Sequence, residues 1–197
     1  GHLVVGTSLM AFYFLYLYLT KTTLDIFNCA PTDPPDPSGR EYLEVTFVPC
    51  YEPGGTHLQL LPFAVIFFCA YALGYPAFVA FILLRNRKRI EEDQILRARN
   101  TGDTRQTNPN NYNFRKRYGK LYYQFKPGHY YWLLLILARK FAIACGGLLF
   151  RRTPVFLLSF TLLILFTSIS LHARHQPYMS LSEREAVLVQ YEAALTT

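Results

Sequence analysis

Four apolar segments, each near the length that crosses a bilayer, alternate in this chain with two connectors of opposite charge. The segments cover residues 3–19, 60–84, 130–150 and 154–171. An α-helix rises about 1.5 Å per residue, so crossing about 30 Å of hydrocarbon takes roughly 20 residues. The first run reaches that length only with its flanks. With 51% hydrophobic and 16% aromatic residues unevenly spread, and a mean hydropathy of +0.12, the chain is too apolar for an ordinary soluble domain of one core. The fold class expected is an all-α, polytopic transmembrane helix bundle of about four spans, with one small disulfide-bearing exterior loop.

The connectors set the orientation. Residues 21–59 contain Pro31, Pro34, Pro35, Pro37, Pro49 and Pro53, and their Lys21 and Arg40 are outweighed by Asp25, Asp33, Asp36, Glu41, Glu44 and Glu52. Proline and glycine punctuation excludes a long helix there, and Tyr42–Val48 alternates as a strand would. From Arg85 to Lys126 there are twelve Lys or Arg against Glu91, Glu92, Asp93 and Asp103. Basic residues close to membrane ends stay cytoplasmic. The organisation expected is therefore a first span over about 1–20, an exterior loop 21–59, a second span 60–84, a basic cytoplasmic connector 85–129, a third span 130–150, a fourth 154–172 and a cytoplasmic tail 173–197. Within the basic connector, 90–98 reads as a short helix and 100–113 as a mobile polar loop. Arg151 and Arg152, in the tight outer turn, run against the charge rule and are expected to bind lipid headgroups.

The chain opens on Gly1-His2-Leu3 without an initiator methionine or a signal-peptide pattern, and Tyr191–Leu195 still reads as the approach to a helix. It is expected to be a fragment of a larger surface-membrane protein, whose remaining helices are its partners, and to form homo-oligomers.

Several side chains stand out. Cys29 and Cys50 share the exterior loop, whereas Cys69 and Cys145 fall inside spans. An oxidising exterior and a loop of roughly twenty residues favour a disulfide, worth about 3 kcal/mol if loop entropy is the source. His57 alone cannot complete a zinc site with them. Gly74 and Pro76 interrupt the second span and predict a hinge, because proline removes a backbone donor. Arg139 and Lys140 sit midway along the third span, each costing about 2.5–3.5 kcal/mol to bury in hydrocarbon. They read equally as part of an ion pathway, gate or lipid site, or as a pair anchoring the span to another helix.

Arg115, Lys116, Arg117, Lys120, Tyr122, Tyr123 and Lys126 interleave cations with aromatic rings just before the third span, which opens on Tyr131 and Trp132. Beside a membrane entry that composition favours anionic lipid on the cytoplasmic face over nucleic acid. His172 and His175 flank Arg174 at the end of the fourth span and read chiefly as an amphipathic cap. No Walker loop, nucleophile elbow, HExxH or CxxC occurs, so neither an enzyme nor a cofactor nor a metal site is expected.

Taken in order, Ile26-Phe27-Asn28-Cys29, Tyr42-Leu43, Cys50, Gly74-Tyr75-Pro76, Arg85-Asn86-Arg87, Tyr118-Gly119-Lys120-Leu121-Tyr122-Tyr123, Tyr130-Tyr131-Trp132, Arg139-Lys140 and Pro177-Tyr178 resemble a known family. It comprises the transient-receptor-potential-like multi-pass C-terminal regions of large surface proteins of algae and other protists, distantly similar to polycystin-type and flavin-carrier-like proteins. The chain departs from the family pattern at Leu133 and Ile136, where acidic residues often stand. The resemblance implies a cation-channel-like or sensory membrane segment. The alternatives are a non-catalytic anchor for a large ectodomain, with anionic-lipid contact, and a transporter fragment.

Overall fold

The computed structural model describes residues 2–179. The tail beyond Met179, including the helical approach at Tyr191–Leu195, lies outside the described residues. Helix α1 covers His2–Asp25; strands β1 (Cys29–Pro31) and β2 (Glu41–Leu43) follow, then helices α2 (Thr56–Phe67), α3 (Gly74–Arg85), α4 (Arg87–Ala98), α5 (Tyr112–Tyr122), α6 (Trp132–Leu149) and α7 (Pro154–His175). Four helical runs are long and apolar enough to cross a membrane: Val4–Asp25, Thr56–Arg85, Trp132–Leu149 and Pro154–His175.

Helix α1 runs five residues past Thr20 and absorbs two threonine hydroxyls there. The Thr22 and Thr23 hydroxyls donate to the carbonyls of Tyr18 and Leu19, four residues back, at 3.0 and 2.6 Å. These bonds occupy hydroxyls that would otherwise compete with the helix. The extension brings Asp25 to the end of the candidate span, so that one carboxylate does belong to the four apolar helices.

The described residues fall into two compact units. One contains Leu15–Ala77 and Ala138–Ser168. Here β1 and β2 pair antiparallel, with Cys29 opposite Leu43 and Pro31 opposite Glu41. The strand expected over Tyr42–Val48 stops at Leu43 because the chain turns there. Phe47 adopts a positive φ of 53° and donates its N–H to the Leu43 carbonyl at 2.8 Å, and the Leu43 N–H returns to the Val48 carbonyl at 2.9 Å. In the same unit α6 meets α7 closely: a Cβ on Gly146 would lie 2.7 Å from the Phe160 ring, so only glycine fits without a shift.

The break expected around Gly74 and Pro76 takes a specific form. A six-residue π-helical segment, Phe68–Leu73, joins α2 to α3, and Gly74 itself has ordinary helical angles. Pro76 has no N–H to offer the Ala72 carbonyl four residues back. The Tyr16 hydroxyl of α1 donates to that carbonyl at 2.6 Å, with Tyr16 fully buried and its ring packed against Tyr71 and Tyr75.

The other unit contains Phe78–Leu137, the chain up to Phe14 and the described residues from Ile169. Close contact of α1 with α5 is allowed by Gly6, whose Cβ would stand 3.2 Å from the Arg117 carbonyl. After α7 the chain pairs with the α5–α6 connection: Lys126 N–H donates to the Pro177 carbonyl at 2.8 Å and Met179 N–H to that of Gln124 at 3.1 Å.

Replacing Tyr16 by phenylalanine keeps the ring packing and strands the Ala72 carbonyl. A loss of about 1 kcal/mol is expected, seen as a Tm lower by about 2–4 °C in detergent. An unchanged Tm would show that the hydroxyl does not hold the π-segment.

Candidate functional site

Three polar constellations carry the chemistry of this chain. The first is built on the disulfide. Cys29 and Cys50 are bonded to each other across a sequence separation of 21, with Cα atoms 6.2 Å apart. Buried His57 lies beside them, close enough for the three side chains to suggest a metal cluster. Its ring is already engaged: Nδ1 accepts the Tyr51 N–H at 3.2 Å, so Nε2 carries the proton and donates to the Ile26 carbonyl at 3.0 Å. With both sulfurs spent on one another, the trio is the structural centre of the loop.

Arg151 enters this loop from the α6–α7 turn. Its Nε lies 3.0 Å from Glu44 Oε2, while Nη1 donates to Asn28 Oδ1 and, at 3.2 Å, to the Cys29 carbonyl. Asn28 closes the ring by donating Nδ2 to Glu44 Oε2 at 2.7 Å. The headgroup role expected for Arg151 is therefore corrected, because a carboxylate, an amide and a carbonyl of the protein already hold it. Arg152, 75% exposed, reaches Glu41 only at 3.8 Å.

The second constellation is the basic pair of α6. Arg139 Nη1 donates to the Ser168 hydroxyl of α7 at 2.9 Å. Both Arg139 and Lys140 are half-buried. Apart from Asp25 at the end of α1, the four candidate spans contain no carboxylate. Among the described residues the guanidinium is thus met by a neutral hydroxyl, which satisfies one donor and brings no negative charge.

The third constellation organises the basic connector. Asp93 is fully buried; its Oδ1 accepts Asn108 Nδ2 at 2.6 Å and its Oδ2 accepts the Tyr122 hydroxyl at 3.0 Å. Arg115 Nη1 stands 3.9 Å from Asp93 and donates to the Gly102 carbonyl at 2.5 Å, while Nη2 donates to Asp103 at 2.5 Å and to the Tyr123 hydroxyl at 2.7 Å. Burial pushes the Asp93 carboxyl above the usual carboxylate range, against the pull of Arg115, Tyr122 and Asn108. Burial, then Asp93, pushes the Tyr122 phenol upward. Gln94, also buried, donates its amide to the carbonyls of Tyr122 and Phe125 at 3.2 and 3.1 Å, closing the end of α5.

This network corrects two expectations. The polar stretch 100–113 is tied down, since Asn108 and Asn111 are buried and bond Asp93 and Glu92. Of the residues expected at the lipid interface, Arg115 and Tyr122 are consumed inside the fold, and the Tyr123 ring is met by the guanidinium groups of Arg97 and Arg115 at 3.9 and 4.7 Å. Trp132 is buried against His172 and His175, whereas Tyr131 stays exposed. Lys116 and Lys120 are exposed; Arg117 and Lys126 are half-buried. Helix α5 itself escapes a reading based on charge alone. The signal was the spacing of Phe114, Tyr118 and Tyr122, where the Phe114 ring lies 5.1 Å from that of Tyr118 and 6.2 Å from that of Tyr122.

Arg151→Met removes bonds to buried Asn28, the half-buried Cys29 carbonyl and exposed Glu44, and is expected to cost about 1–2 kcal/mol, read as faster proteolysis within 21–59 and a lower Tm. Arg152→Met breaks an exposed pair and is expected to change neither. Equal behaviour of the two variants would contradict the clasp.

Comparison of the chain with protein-family models, with curated proteins and with solved structures finds no match. Its function has to be read from these side chains.

Proposed function

We propose that this chain is a membrane-spanning segment of a channel-like, sensory surface protein, and that the α6–α7 pair is its working element. The acidic, disulfide-bonded loop faces the exterior, and the α4–α5 region lies in the cytoplasm. Two local contacts support this arrangement: Arg151 fastens the α6–α7 turn to the acidic loop, and Lys126 fastens the segment after α7 to the basic connector. Each groups connectors that alternate spans would leave on one side.

The observation that carries the functional reading is Arg139 donating to Ser168 midway along α6, beside Lys140. Two adjacent cations among apolar helices are too costly to serve as packing alone. Fixed positive charge raises the barrier to a passing cation, so the pair favours sensing or gating over a place on a cation's path. The counter-charge of Arg139 is a carboxylate or phosphate outside the described residues. A second reading, a non-conducting anchor for an ectodomain, is favoured by the clasp of Arg151 on the loop, which suits a rigid attachment point.

The double replacement Arg139→Leu, Lys140→Leu separates these readings. It lowers the insertion cost, so surface expression is expected to be normal or higher, while stimulus-evoked current of the full-length protein is expected to fall at least tenfold, roughly the effect of losing 1.4 kcal/mol of coupling. Normal currents in the double variant would sink the sensory role, and their absence in the wild type would leave the anchor.

A further inference from the structure

We propose that Arg85, Arg87, Lys88 and Arg89, at the junction of α3 and α4, form a docking surface for the headgroups of anionic lipids; the proposal rests on the membrane reading above. All four side chains are exposed. None of them makes an ion pair, hydrogen bond or ring contact with another described residue. In this respect they differ from Arg40, Arg115, Arg151 and Arg152, each of which reaches a carboxylate.

The local sequence works against such a cluster. Glu91 and Glu92 lie four residues after Arg87 and Lys88, yet neither pair forms an ion pair. A cation placed N-terminal to its acidic partner is the weaker helical order. Arg87, Lys88 and Arg89 also occupy the first turn of α4, where the helix dipole disfavours positive charge. Asn86 does not cap that turn; its amide donates back to the Ile82 carbonyl at 2.9 Å. An anionic surface would offset both the mutual repulsion and the dipole.

Lipid is the partner that fits, because the cations continue an exposed apolar row. Phe78, Phe81 and Leu84 are 49%, 63% and 57% exposed, and the change to positive charge comes at the next residue, Arg85. A nucleic acid or an acidic peptide would leave those rings in water. A bilayer accepts the apolar row in its hydrocarbon and the cations at its headgroups.

The test uses the whole chain reconstituted into phosphatidylcholine vesicles holding a trace of spin-labelled phosphatidylserine or spin-labelled phosphatidylcholine. Electron paramagnetic resonance then reports which lipid stays at the protein boundary. Phosphatidylserine is expected to be preferred about threefold or more, with the preference much reduced in about 0.5 M salt. It is expected to fall close to one in R85Q/R87Q/K88Q/R89Q and to persist in R85K/R87K/R89K. An embedded wild type with no preference, a preference indifferent to salt, or a glutamine variant that keeps it would overturn the proposal and leave the membrane reading standing. Failure of the wild type to embed would overturn both.

Discussion

A backbone carbonyl without a donor is costly inside an apolar bundle, and Pro76 creates one at Ala72. The Tyr16 hydroxyl supplies the missing donor from another helix, which lets a long apolar run carry both a π-segment and a proline without ending. Three consequences follow locally: Tyr16 must be buried, it must sit at the level of Ala72, and its ring must pack with Tyr71 and Tyr75. The irregular stretch therefore fixes how α1 lies against the helical run that begins at α2.

Charge is sorted by the same rule. Arg115 and Arg151 have exchanged water for carbonyls, amides and carboxylates, and each ties a loop to a helix end. Arg139 has only a hydroxyl, which marks it as incomplete. Arg85, Arg87, Lys88 and Arg89 have no side-chain partner among the described residues. These three classes distinguish cations that build the fold from cations that face something outside it.

Much of the architecture was legible in the sequence because hydropathy over 18 or more residues is a strong signal. The disulfide was equally legible, from two cysteines sharing one loop. What escaped was the content of the polar segments. Asp93 and Gln94 look like the solvated face of a short helix in a sequence, and Asn108 and Asn111 like solvated loop residues, yet all four are buried, and they bond one another, neighbouring polar side chains or the carbonyls at the end of α5. Polar residues that satisfy one another leave no periodic trace, so 100–113 reads as a mobile polar loop and the α5 stretch as a basic, aromatic lipid interface. The fate of Arg151 was hidden for the same reason: its partners lie more than a hundred residues away.

Membrane orientation is the claim on which the functional reading depends, and impermeant labelling tests it most directly. With the free thiols Cys69 and Cys145 replaced by alanine, Ser38→Cys and Thr104→Cys each place one reactive thiol at an exposed position. The account predicts that an impermeant maleimide labels the Ser38 position on intact cells and the Thr104 position only after permeabilisation. Labelling of Thr104→Cys on intact cells, or equal labelling of both, would contradict it.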